Sequence, residues 1–140
     1  MKLNLDVVRE LMLWLEDGLT LCYDGRQRAF VYTPLDYTDF VVHHDEIAPE
    51  DVIYTSKMLS DGGYIEAQID GCDETISICR YYSLTYEGHK LLDSIRDEGR
   101  WKELKRISYD LKGAGLEIIG AVGAELIKNA ALSMVAGRKL

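Results

Sequence analysis

Four potential metal ligands stand in a row at His43-His44-Asp45-Glu46, and His89 with Glu87 places an imidazole two positions from a carboxylate. Neither spacing does obvious chemistry. Successive residues of an extended segment point to opposite faces and do not converge on one ion, so His43 to Glu46 reads as a loop with no metal expected. Residues two apart on a helix do not face each other, which gives His89 a structural reading. Cys22, Cys72 and Cys79 are an odd set with no CxxC spacing, so neither a disulfide framework nor a zinc knuckle is expected, and reduced intracellular thiols fit a cytoplasmic protein. Gly-rich phosphate loops, GxSxG and HExxH are absent from the sequence. Carboxylates are too abundant for any pair to be singled out as acid and base. No nucleophile, base and orienting group can be named together, and the expectation is a non-enzyme without a cofactor.

The residues that carry information are charged and apolar surface groups. Between positions 49 and 80, Lys57 and Arg80 oppose Glu50, Asp51, Asp61, Glu66, Asp70, Asp73 and Glu74, a net charge of -5. Such a surface repels phosphate and forgoes the counterion release from which nucleic-acid affinity largely derives. A cationic protein surface is the partner it suits, with Ile53 and Tyr54 as apolar anchors. Farther on, Arg100, Lys102, Lys105, Arg106 and Lys112 flank Trp101, and Trp101, Leu104, Ser108 and Leu111 fit one helical face with the cations outside it. That basic group suits nucleic acid, an acidic surface of another protein, or the acidic first part of this chain; a solvated helix face is the plainest reading.

The elements that must position these groups follow from pattern. The chain has 140 residues, 16 Lys and Arg against 24 Asp and Glu, and 47% hydrophobic residues, a composition of an ordinary globular domain rather than of a disordered or fibrous one. Residues 1–97 hold 8 cations and 19 carboxylates, net -11, whereas 98–140 hold 8 and 5, net +3, which predicts an acidic domain over 1–97 and a basic, apolar helical extension over 98–140. The N-terminus interleaves charge with apolar residues from Asp6 onward, so no secretory signal is expected and the mature chain is read from Met1. A first helix is predicted over 5–17 with Asn4 as N-cap, a hairpin from 19–23 and 29–33, and a further strand over 37–43. Pro49 begins a helix, PEDVIYTSKMLSD, with Val52, Ser56 and Leu59 inward and Ile53, Tyr54, Lys57 and Ser60 outward; Gly62-Gly63 ends it. YIEAQID and ETISICRYY then form a hairpin around Asp70-Gly71, with Ile65, Ala67 and Ile69 sharing a face with Ile76 and Ile78. Thr85 caps the next helix, although Gly88 stands where a capping box would place Glu or Gln.

This order, helix, second helix, two-stranded wing, helix, is that of an α+β winged helix-turn-helix with an extra N-terminal hairpin and strand and a C-terminal helical extension. MLSDGGYIEAQ followed by SLTYEGHKLLDSIRDEGRWKELK resembles a small uncharacterised family of phages and bacterial mobile elements, domain-of-unknown-function family twenty-five-thirteen, over roughly residues 48–127; the stretch 19–46 departs from it. The resemblance implies a winged-helix fold and a mobile-element origin and brings no catalytic residues. From Leu116 to Val135 the sequence is apolar, with Glu125 and Lys128 near the middle of any membrane span, where each costs ~2.5–3.5 kcal/mol on insertion scales. A buried or dimer-forming helix is therefore expected there rather than a span, with Leu116, Ile119, Gly120, Gly123 and Ile127 as the oligomerisation residues of a homodimer formed through it.

The functional expectation is a non-catalytic phage-type winged-helix protein. Its acidic face, Glu50, Asp51, Ile53, Tyr54, Glu66, Asp70, Asp73 and Glu74, would bind a protein partner, mimicking DNA to inhibit a host nucleic-acid-handling or defence complex. The alternative is a dimeric DNA-binding regulator in which Lys57, Arg80, Arg100, Lys102, Lys105 and Arg106 touch phosphates.

Overall fold

A computed structural model describes residues 1–110 and 115–137, so Leu111 and Lys112 lie outside the described residues, and the side chain of Ser108 is likewise not described. Among the described residues the protein is a mixed α+β chain of six helices and two small antiparallel sheets. It divides into two compact units, residues 1–89 and 90–140. The division lies eight residues ahead of the shift in charge.

In the first unit, α1 (Leu5–Gly18) starts where the Asn4 side chain accepts from the Asp6 amide at 3.0 Å. Its apolar stripe, Val7, Val8, Leu11, Met12 and Leu15, is buried and packs toward α3 and β5. Strands β1 (Thr20–Asp24) and β2 (Ala29–Thr33) form a separate ribbon. The short β3 (Leu35–Asp36) then pairs with β5, giving a three-stranded sheet in the order β3-β5-β4. Helix α3 (Pro49–Asp61) lies between β3 and the hairpin of β4 (Ile65–Asp70) and β5 (Ile78–Leu84) in sequence, and begins at the predicted proline. Gly63, at φ +79°, supplies the left-handed residue that turns the chain from α3 into β4.

Two sequence expectations need correction. Residues 37–43 are not a strand but helix α2 (Tyr37–His43). The Asp36 carboxylate accepts from the Thr38 amide at 3.1 Å and from its hydroxyl at 2.8 Å, an N-cap that starts a helix, and Phe40 is its fully buried residue. Second, β5 begins at Ile78, not Glu74. The Thr75 hydroxyl and the Cys72 backbone bond each other in a turn, and the Ser77 amide donates to the Asp70 carbonyl at 2.9 Å. The connection therefore runs from Gly71 to Ser77, which leaves Ile76 exposed, and Ile78 pairs with Asp70 on the other face of the sheet, so Ala67 and Ile69 share their face with Tyr81 and Cys79 instead.

Tyr81 of β5 is fully buried and is met by side chains of α1 and α3. Trp14 meets its ring edge-on at 6.3 Å and meets Phe40 at 5.4 Å. The Ser56 hydroxyl donates to the Val52 carbonyl at 2.7 Å, so the Tyr81 hydroxyl, 2.6 Å away, donates to Ser56.

In the second unit, α4 (Tyr86–Ile95) continues from the first, followed by α5 (Glu98–Asp110) and α6 (Leu116–Gly137). Leu91, Leu92, Ile95, Trp101 and Leu104 are buried, as the helical spacing requires. The Ser94 hydroxyl donates to the Gly120 carbonyl at 3.1 Å. A Cβ at Gly123 would come 2.6 Å from that of Ser94, so α6 crosses α4 here at a distance only glycine permits. Substituting Gly123→Val is expected to lift this half of α6 from α4, read as faster proteolytic cleavage within 116–137 with the rest of the chain left intact.

Candidate functional site

Helix α3 turns the predicted residues inward, since Val52, Ser56 and Leu59 are buried, with Thr55 beside them. Ile53 and Tyr54 are half-buried and Lys57 is exposed. The outward residues line two grooves. The first, about 530 Å³, is walled by Met1, Tyr37, Pro49, Ile53, Tyr54, Met58 and Ile76, with Glu50 and Lys57 at its margins. The second, about 600 Å³, lies between the C-terminal half of α3 and the hairpin, and holds Asp61, Asp70 and Asp73 with Ser60, Gln68 and Thr75. An apolar groove and a carboxylate-lined groove therefore share Lys57 and Ile76.

Of the acidic residues named from sequence, Asp51 is half-buried and the others are exposed, but they are not one patch. Glu50 and Asp51 occupy the first turn of α3, where the helix dipole favours them. Asp70 accepts from the Gln68 amide group at 2.9 Å, and Glu66 accepts from the Ser83 hydroxyl at 3.4 Å, away from the apolar groove. Asp73 sits at φ +56° in the connection and Glu74 beside it is exposed.

Both cations of this region have carboxylate neighbours. Lys57 Nζ lies 3.3 Å from Asp61, and Arg80 Nε lies 3.8 Å from Asp36. Arg80 alternates with the buried Cys79 and Tyr81, so it points to the outer face of the sheet, away from the core. Exposed pairs of this kind contribute little stability, yet each carboxylate offsets part of the positive field that a phosphate would meet. On α5, Lys102 and Arg106 are exposed, Lys105 lies over the Trp101 ring at 5.8 Å, and Arg100 is half-buried with its amide donating to Asp97 at 2.9 Å.

The remaining chemical candidates are structural. The His43 and His44 Nδ1 atoms lie 2.7 and 2.8 Å from the Asp39 and Phe40 carbonyls at the end of α2, and the His44 ring stacks on Phe40. Among the described residues no group of three or more His, Cys, Asp or Glu is placed to hold a metal ion. Cys22 and Cys72 are exposed and Cys79 is buried. Thiol titration of the folded protein is expected to find two reactive groups at once and the third only on unfolding.

Burial pushes the Cys79 thiol above its ordinary value of 9.0, and burial pushes the Tyr81 hydroxyl up as well. A raised folded-state pKa favours the protonated form, so the stabilisation is complete below the unfolded value and lost as pH rises through the folded one. The urea midpoint should be flat with respect to these two groups from pH 7 to 8 and fall above about pH 9, and Cys79→Ala should make that fall shallower.

The sequence assigned no binding residue to the ribbon formed by β1 and β2, whose Leu21, Tyr23, Phe30 and Tyr32 are exposed. The signal was present as alternation of large apolar residues in two paired strands. Helix α6 is long and apolar enough to cross a membrane by length and composition, and most of it is exposed. Of its named contact residues, Ile119 and Gly123 are buried and Leu116, Gly120 and Ile127 half-buried, so this stripe faces its own unit, while Ile118, Leu132, Met134 and Val135 face out.

No solved structure matches the chain. A protein of Haemophilus influenzae (strain ATCC 51907 / DSM 11121 / KW20 / Rd), named only "Uncharacterized protein", is 34% identical over 106 residues, 75% of this chain and 76% of that protein. The family described as "Hypothetical protein (DUF2513)" matches residues 2–115. That match takes in the stretch 19–46, which the sequence resemblance had set apart, and stops ahead of α6. The chain accordingly belongs to the uncharacterised family DUF2513.

Proposed function

We propose that residues 35–84 form a winged helix-turn-helix whose recognition-helix face binds a protein rather than DNA. The order β3, α2, α3, β4, β5, with β5 between β3 and β4, fits a short strand, two helices and a wing. The observation that carries the choice of partner is the groove on α3. Where a DNA reader presents Arg, Lys, Asn or Gln to base edges, this helix presents Ile53, Tyr54 and Met58 in an apolar trough beside carboxylates, and its one cation lies within salt-bridge reach of Asp61. An apolar segment flanked by Lys or Arg suits that surface, as on a protein that itself handles nucleic acid. Inhibition of such a host complex, by a protein of phage or mobile-element type, is the biological form of the reading.

Fluorescence anisotropy with mixed-sequence duplex DNA at low and moderate salt separates the two partner classes. The expected result is no binding of physiological strength at either salt. Tight binding that weakens steeply with salt would instead support a DNA regulator using Lys102, Arg106 and their neighbours. In parallel, proteins cross-linked to the chain in its host should be lost with Ile53→Asp and with Glu50→Lys, and retained with the exposed control Tyr86→Ser.

A further inference from the structure

Leu21 lies directly opposite Tyr32 and Tyr23 opposite Phe30, so all four side chains share one face of the β1 and β2 ribbon. They are 57%, 50%, 60% and 69% exposed, and the Tyr23 and Phe30 rings meet edge to face at 5.5 Å. The opposite face carries Thr20, Cys22, Val31 and Thr33. The larger apolar groups of this face are therefore left largely in water, although a two-stranded ribbon on its own is only marginally stable.

Charge is graded along the ribbon. Arg26 and Arg28 are exposed at its turn, where Asp24 accepts from the Arg26 amide at 2.8 Å, while Glu16 and Asp17 end α1 at its base. The base also holds a cleft of about 170 Å³ lined by Leu15, Leu19, Leu21, Tyr32 and Leu84, with Glu16 at its side.

We infer that a second copy of this chain covers this face, the two ribbons stacking with the turn of each over the base of the other. A two-fold axis requires a self-complementary patch, and this one is. Tyr23 and Phe30 of each copy cover Leu21, Tyr32 and the basal cleft of its partner, and Arg26 and Arg28 meet Glu16 and Asp17. An aromatic side chain offers roughly 150–250 Å². At these exposures the four residues bring roughly 400–500 Å² per copy, over half of the ~800 Å² per partner of a standard interface, and the charged rim supplies the remainder.

Sedimentation of the full chain between about 1 and 100 µM tests this, a range in which a standard-sized interface is populated. A dimer is expected whose dissociation constant rises at least about tenfold with Tyr23→Ser plus Phe30→Ser, at unchanged circular dichroism. Arg26→Glu plus Arg28→Glu should also weaken it, and adding Glu16→Arg plus Asp17→Arg should restore it, a rescue that mere loss of folding does not produce. A monomer throughout the range overturns the inference. So does a dimer indifferent to the ribbon variants but dissolved by Leu132→Ser plus Val135→Ser, which would place the contact on α6. Neither result bears on the α3 groove.

Discussion

Gly88→Ala is expected to lower the thermal midpoint by roughly 10 °C, although in an isolated helix the same change stabilises by about 1 kcal/mol. Gly88 occupies the third position of α4, where a capping box would carry Glu. The Thr85 hydroxyl accepts from its amide at 3.0 Å and donates to the Gly63 carbonyl, while the Thr85 amide donates to the Tyr64 carbonyl at 3.1 Å. These bonds draw the start of α4 onto the turn after α3, until the Tyr64 carbonyl oxygen lies 1.9 Å from where a Gly88 Cβ would be built. That oxygen belongs to backbone fixed at the start of β4 and cannot swing aside like a side-chain tip. Overpacking of this kind costs about 1–3 kcal/mol, and a backbone neighbour puts it at the upper end. Differential scanning calorimetry decides the sign. An unchanged or raised midpoint would mean that helix propensity governs this position and that the contact to Tyr64 relaxes freely.

Tyr81→Ala should cost about 3–5 kcal/mol in urea denaturation, whereas Tyr81→Phe should cost about 1 kcal/mol. Truncation empties the space that the ring shares with Trp14 and leaves β5 without its contact to α3 through Ser56. Removing the hydroxyl alone is milder, because Ser56 keeps its own acceptor, the Val52 carbonyl. A double-mutant cycle with Ser56→Ala should return a coupling of about 1 kcal/mol between the two hydroxyls. If Tyr81→Phe proved as damaging as Tyr81→Ala, the hydrogen bond and not the packing would hold α3 on the sheet.

The misread element at 37–43 shows where local pattern stops being sufficient. Tyr37, Thr38, Phe40, Val41 and Val42 are β-favouring types, and type alone pointed to a strand. The competing signals were also in the sequence: Asp36 at the cap, and Tyr37, Phe40, Val41 and His44 at helical spacing. The helix forms because the cap supplies partners for its first amides and because only that spacing turns Phe40 into the core while Val42 stays in water. Ile76 has a similar lesson, since alternation placed it in the strand, and the bonds between Thr75 and Cys72 hold it in the connection instead.

Read alone, the residues determined α1, the ribbon, α3 from its proline onward, the inward stripe of α3, the charge of its surroundings and the family, because caps, turns, periodicity and charge act over a few positions. Tertiary structure decided the rest. That β3 joins β5, that Gly88 meets a backbone carbonyl from another element, that Ile53, Tyr54 and Ile76 share one groove, and that four large side chains of the ribbon are left in water all depend on pairs distant in sequence. No local preference encodes such distances; they are set when the elements settle against each other around Tyr81.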